Sequence, residues 1–276
     1  MSAVVDQADG LRRLLRPRGS RIIAIAGVAD GMGATTAAMN LSVELARQGD
    51  QKVVLLDEHW REGDCACSRW PAVTVGALRD AASGRADVAG AVMPGCAGVQ
   101  VLPAPSGVPL DSFNPRALCS QGLIVVDVAF DSAGQLSPLA RMADELVIVM
   151  RPVASSITLT YLGLKRLQYT HAQQTFKFLV NAVDSANQAR QVIGNVLNTS
   201  SRFLAVSLQP LGWISSDPMV GEAQRERKTV CEAYPASSAA SDFRRIAAAI
   251  ARGHAPAPVE GRAKGLPAAM PVGAMA

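Results

Sequence analysis

The sequence predicts an α/β fold: a doubly wound, mainly parallel sheet with helices on both faces. Three observations carry that prediction. Short apolar runs recur along the chain, and most are apolar throughout rather than alternating, as in strands covered on both sides. Between them lie longer stretches with helical periodicity, so strand and helix alternate. The first apolar run also leads through a glycine-rich turn into a helix, RIIAIAGVADGMGATTAAMN at 21–40, the outline of a phosphate-binding loop.

The strands are expected at Arg21–Ala26, Lys52–Asp57, Val99–Leu102, Leu123–Ala129, Glu145–Met150, Lys177–Ala182 and Ala205–Leu208. Helical periodicity marks Thr35–Gln48, Ser156–Tyr169 and Ala186–Ser200, and Gly49 stands where a glycine cap closes the first of these. The α/β domain is expected over 21–236. An arm, polar and then arginine-rich, precedes it over 1–20. A last helix, 237–253, places Ala239, Phe243, Ile246 and Ile250 on one face. The remainder, 254–276, is rich in Pro, Ala and Gly, with too few large apolar residues to fold, and is expected to be disordered.

Composition narrows the function. With 276 residues and 49% of them apolar, a sizeable core needs no disulfide or metal staples. A net charge of +4 is too mild to argue for nucleic acid. Arg12, Arg13, Arg16, Arg18 and Arg21 crowd the arm, which reads as a solvated face or a surface for an acidic partner or lipid headgroups. Five cysteines, no secretory signal and no apolar run of membrane length point to a reduced cytoplasmic protein. Cys65-Ala-Cys67 lacks a second Cys/His pair, so no metal site is expected. His59, His171 and His254 are the only histidines, and no nucleophile motif accompanies them, so no catalytic residue is assigned.

A phosphate loop holds its anion with backbone N–H groups and a helix N-terminus, and its lysine adds a full charge at the terminal phosphates. Here Val28 stands at the first glycine and Ala34 at the lysine. One lysine–phosphate contact at 4 Å contributes roughly 4 kcal/mol at an effective dielectric near 20. Its loss weakens binding by about three decades. Asp30 adds a carboxylate where a polyphosphate would approach.

The setting resembles MinD/ParA-type P-loop ATPases, whose loop reads K-G-G-x-G-K-[ST]-T. Gly31, Gly33, Thr35 and Thr36 match, while Ala29 and Ala34 replace the two lysines and Asp30 a glycine. The family's D-x-D is Asp57-Glu58-His59, so His59 stands where an aspartate aligns water; Asp57 remains for Mg²⁺. Its D-[TS]-x-x-G begins at Asp127, with Asp131 where a glycine N–H meets the γ-phosphate. The resemblance implies a site for ATP and Mg²⁺ at Gly31, Gly33, Thr35, Thr36, Asp57, Asp127 and Asn181. Binding there is expected to be weak or absent, and hydrolysis lost.

Residues 6–14, DQADGLRRL, resemble the D-Q-A-x-x-L-R element that opens the FlhG/FleN (YlxH) family of flagellar-number regulators, through Asp6, Gln7, Ala8, Leu11 and Arg12. In that family the element forms a short helix that stimulates a signal-recognition-type GTPase, FlhF. Residues 100–107 (QVLPAPSG), 176–184 (FKFLVNAVD) and 214–240 resemble further family segments, with Asn181 at a position that contacts adenine and Ser215 in place of a proline. The resemblance implies a cytoplasmic regulator, peripheral at the inner membrane or pole, with an FlhF-like GTPase, a flagellar switch protein or a transcription regulator as partners, and a homodimer as a further state. The last helix, with Arg244 and Arg245 beside Phe243 and Ile246, reads as packed on the core rather than as a membrane face. The alternatives are an ATP-binding, dimerising, membrane-binding ATPase, and a DNA-partition protein, for which the arm would have no use.

Overall fold

β1 (Arg21–Gly27) shows how the molecule is organised. Successive side chains of a strand point to opposite faces: Ile22, Ala24 and Ala26 enter one apolar core, and Ile23 and Ile25 enter a second. The computed structural model describes residues 19–49, 51–59, 80, 83, 92–104, 113–130, 134–204 and 206–252. The arm over 1–18, Cys65 and Cys67, Asp131 and the tail from 253 lie outside the described residues.

After β1 come α1 (Ala34–Gln48), β2 (Lys52–Asp57), β3 (Met93–Pro94), β4 (Val99–Pro103), a 3₁₀ turn (Pro115–Leu118), β5 (Gly122–Val128), α2 (Pro138–Arg141) and β6 (Glu145–Met150). Then follow α3 (Ala154–His171), β7 (Thr175–Val183), α4 (Ala186–Phe203), β8 (Ser207–Ser215), α5 (Pro218–Arg225), α6 (Val230–Ala233) and α7 (Ser238–Arg252). The strand order is β3-β4-β2-β5-β1-β6-β7-β8. All pairs are parallel except β3 with β4. Helices α1, α5, α6 and α7 cover one face, and α2, α3 and α4 the other. The α/β expectation holds. The chain runs outward from β1 first on one side and then on the other, which opens a crevice at the C-terminal ends of the central strands.

Two sequence expectations change, and one strand, β3, was not expected. The strand expected at Ala205–Leu208 runs over Ser207–Ser215 instead. It contains Pro210 and Gly212, which are tolerated because β8 is an edge strand whose pairing with β7 shifts register, Gly212 adopting φ 128. The short edge strand β3 carried too few residues to show a period. Gly49 is extended (φ −141, ψ 159) rather than left-handed, because the chain passes directly towards β2.

Arg21 does not join a solvated basic face. Its Nε donates to Glu145 Oε1 at 2.6 Å, its Nη1 donates to Ile250 O at 2.8 Å, and Lys177 Nζ donates to Glu145 Oε2 at 2.6 Å. One carboxylate thus ties three neighbouring strands, and Arg21 ties them to the end of α7.

α7 lies on α1 and β8 with Ala239, Phe243, Ile246 and Ile250 buried, as the packed reading anticipates. Polar contacts hold it there. Gln48 Nε2 donates to Arg244 O at 2.8 Å, and Asp242 Oδ2 accepts from Ser215 N at 2.9 Å and Ser215 Oγ at 2.7 Å. The first Ser215 bond uses an N–H that proline would lack. Among the described residues, no helix is long and apolar enough to cross a membrane.

Candidate nucleotide site

The turn after β1 is shaped by what surrounds it. Gly31 and Gly33 adopt φ 76 and φ 88, conformations that favour glycine. Gly33 is also the N-cap of α1, and a Cβ there would lie 2.1 Å from Asn181 Nδ2. Asn181, at the end of β7, uses that same nitrogen to donate to Met32 O at 3.0 Å. Met32 is buried, and its sulfur accepts from Ser156 Oγ at 3.0 Å. Val28, the residue in place of the first glycine, fits against Gly163 of α3, where a Cβ would come 2.5 Å from Val28 Cγ1.

Beside this turn opens a cavity of about 420 Å³. Gly31, Gly33, Thr36 and Asn181 line it, together with Arg151 and the segment from the end of β8 to α5. The N-terminus of α1, which has no side-chain cap at Gly33, borders it, a favourable end for an anion. Gln224 Nε2, from α5, donates to Thr36 Oγ1 at 3.1 Å across its mouth.

The ends of β5, beside β1, and of β2, one strand further out, carry the acids. Asp57 and Asp127 are register partners on β2 and β5, and both are fully buried. His59 N donates to Asp57 Oδ1 at 3.0 Å. His59 Nε2 lies 2.8 Å from Val128 O and 3.9 Å from Asp127 Oδ1. A ring nitrogen facing a carbonyl oxygen carries the hydrogen, so His59 fastens the end of β2 to the end of β5.

Glu58, between them, is buried. Its Oε2 accepts from Ala129 N at 3.1 Å, and its Oε1 accepts from Ser137 Oγ, the N-cap of α2. Burial pushes its carboxyl up from 4.5 to about 7, against the pull of those two hydrogen bonds and with help from the nearby Asp57 charge. The folded state therefore favours the proton. The stability this gives is fully present below the unfolded pKa and is lost as pH rises through the folded value, up to roughly 3 kcal/mol. Glu58→Gln is expected to flatten that dependence. Denaturant midpoints at about pH 5 and pH 8 should fall for the native chain and stay level for the variant; parallel curves would refute the assignment.

Of the residues singled out in the sequence, the structure brings Gly31, Gly33, Thr36 and Asn181 to one cavity. Thr35 sits half-buried in the first turn of α1, and Asp57 and Asp127 pair beyond the cavity lining. Asp6, Gln7, Ala8, Leu11 and Arg12 lie outside the described residues. Arg151, Gln224 and Glu58 were not anticipated. Arg151 was within reach of sequence reasoning, because the residue that follows a parallel strand sits at the ligand edge of the sheet; Gln224 carried no such signal.

A parallel sheet with this strand–loop–helix at its centre and acids ending the two strands beyond it defines a P-loop nucleotide-binding architecture of the MinD/ParA type. No family model matches the sequence. The antiactivator FleN of Pseudomonas aeruginosa is 30% identical over 241 residues, covering 82% of this chain and 85% of that protein. An uncharacterised ATP-binding protein of Methanocaldococcus jannaschii is 28% identical over 239 residues, covering 82% and 86%. Among solved structures, the cell-division ATPase MinD of Pyrococcus furiosus has the same fold at TM-score 0.59 and 22% identity, covering 83% of this chain and 98% of its own. A ParA family ATPase of Chlorobium tepidum does so at 0.60 and 17%, covering 84% and 99%. The chain belongs to the MinD/ParA family of P-loop ATPases, with distant similarity to FleN.

Proposed function

We propose that this protein regulates flagellar number or placement through a partner GTPase of the signal-recognition type, on a MinD-like body that has lost ATP hydrolysis. The observation that carries the reading is a contrast within one chain. The arm keeps Asp6, Gln7, Ala8, Leu11 and Arg12, while the loop, the D-x-D and the D-x-x-G positions all depart from a hydrolytic set at Ala34, His59 and Asp131. The similarity to an antiactivator called FleN supports the flagellar direction. Gln7 is the residue assigned to act on the partner's nucleotide, and a flagellar switch protein or a transcription regulator is a further partner.

The test is GTP turnover by the cognate flagellar GTPase with full-length protein added. Stimulation is expected, and Gln7→Ala should remove roughly a hundredfold, the scale of a group that positions attacking water. An unchanged rate with Gln7→Ala would overturn the reading. Residues fit a nucleotide in outline at the loop: two left-handed glycines, the α1 N-terminus and an adjoining cavity. That fit favours a second reading, a body that still binds nucleotide and dimerises without turnover. In either reading Thr35, Asp57 and Asp127 are the residues that would face Mg²⁺.

A further inference from the structure

Arg151 is the first residue past β6, at the C-terminal edge of the sheet. Its backbone N–H donates to Ser156 Oγ at 2.8 Å, so the root of the side chain is fixed by the same serine that holds Met32 of the loop. Its guanidinium forms no ion pair among the described residues. Among the described residues, two charged ones line the cavity, Arg151 and Asp217. Asp217 is committed elsewhere: its carboxylate accepts from Met219 N at 2.9 Å, Ser238 Oγ at 2.8 Å and Ala239 N at 3.0 Å, which joins the starts of α5 and α7. Arg151, exposed at the cavity's edge, is therefore the cation among the described lining residues, while the Asp217 carboxylate is held by the starts of α5 and α7. Arg151 shares that space with Gly31, Gly33 and the N-terminus of α1, an arrangement suited to phosphate oxygens.

We propose that Arg151 is the cation with which this site holds a nucleoside diphosphate, supplied from β6 in place of the loop lysine absent at Ala34. Asp30, exposed at the loop tip, opposes the additional charge of a triphosphate, so the site prefers the diphosphate. This goes beyond the regulatory reading and does not depend on it: GTPase stimulation through Gln7 is read in another assay and can fail or succeed independently.

Titration calorimetry of the full-length protein with ADP tests it, with adenosine and pyrophosphate as the separate base and anion probes. Native protein is expected to bind ADP more tightly than adenosine, with pyrophosphate competing. Arg151→Gln should weaken ADP by about 30-fold and leave adenosine unchanged, while Arg151→Lys keeps most of the affinity. Added salt should weaken ADP binding to native protein and not to Arg151→Gln. Arg190→Gln, on exposed α4, serves as the charge control. Thermal midpoints check each fold, and if Arg151→Gln were to unfold, the salt dependence of native binding against that of Arg151→Lys and the pyrophosphate competition decide. ADP affinity indifferent to Arg151→Gln or to salt, or no ADP binding by native protein at millimolar concentration, would overturn the assignment.

Discussion

Asp30→Gly/Ala34→Lys is expected to raise the affinity for Mg-ATP by about a thousandfold over the native chain. Ala34 is the first helical residue of α1, directly after the Gly33 cap. A side chain at that position leans towards the helix N-terminus, so a lysine would extend over the loop and reach the anion held there. Removing the Asp30 carboxylate acts in the same direction, because it is exposed at the loop tip where the outer phosphates would lie. Calorimetry on native and doubly substituted protein measures the gain. Equal micromolar affinities would show that the backbone cradle suffices without the lysine, and the reading of the loop as a weakened site would fall.

Phe243→Ala is expected to lower stability by about 3–5 kcal/mol, the cost of emptying a fully buried aromatic site. The thermal midpoint should fall by about 8–15 °C for a domain of this size. Phe243 is 1% exposed, belongs to the core under α1, and also borders the cavity. The outcome bears on localisation as well as on stability. A loss below about 1 kcal/mol would mean that α7 spends much of its time off the body, free to place Phe243, Ile246 and Ile250 against a lipid surface. A full loss fixes those residues as core.

The central strands were readable because their apolar runs have no polar face, and β1, β2, β5 and β6 stand within a residue or so of where those runs lie. The apolar run at 205–208 marks only the start of β8, whose later part carries Pro210 and Gly212, residues that an edge strand tolerates. Gly31, Gly33 and Thr36 could be assigned through the resemblance to the MinD/ParA loop, since a phosphate loop is local in sequence. Glu58 carried no such local pattern, and Arg151 only its place after a strand. What Glu58 does depends on Ser137 and Ala129, and what Arg151 faces depends on segments more than a hundred residues before it. Such relations exist only after the sheet has brought the strand ends together.

The three anchors on the turn after β1 bear on how a ligand would be received. Val28 is seated against Gly163, Met32 is held by Ser156 and its carbonyl by Asn181, so both ends of a short turn are fastened to α3 and the far end to β7 as well. Loops that wait for a ligand to order them lose conformational entropy at the moment of encounter. Here that loss is met when the chain folds. The turn is pre-organised, and an occupant would meet a finished shape. A turn fastened in this way is suited to a rigid platform.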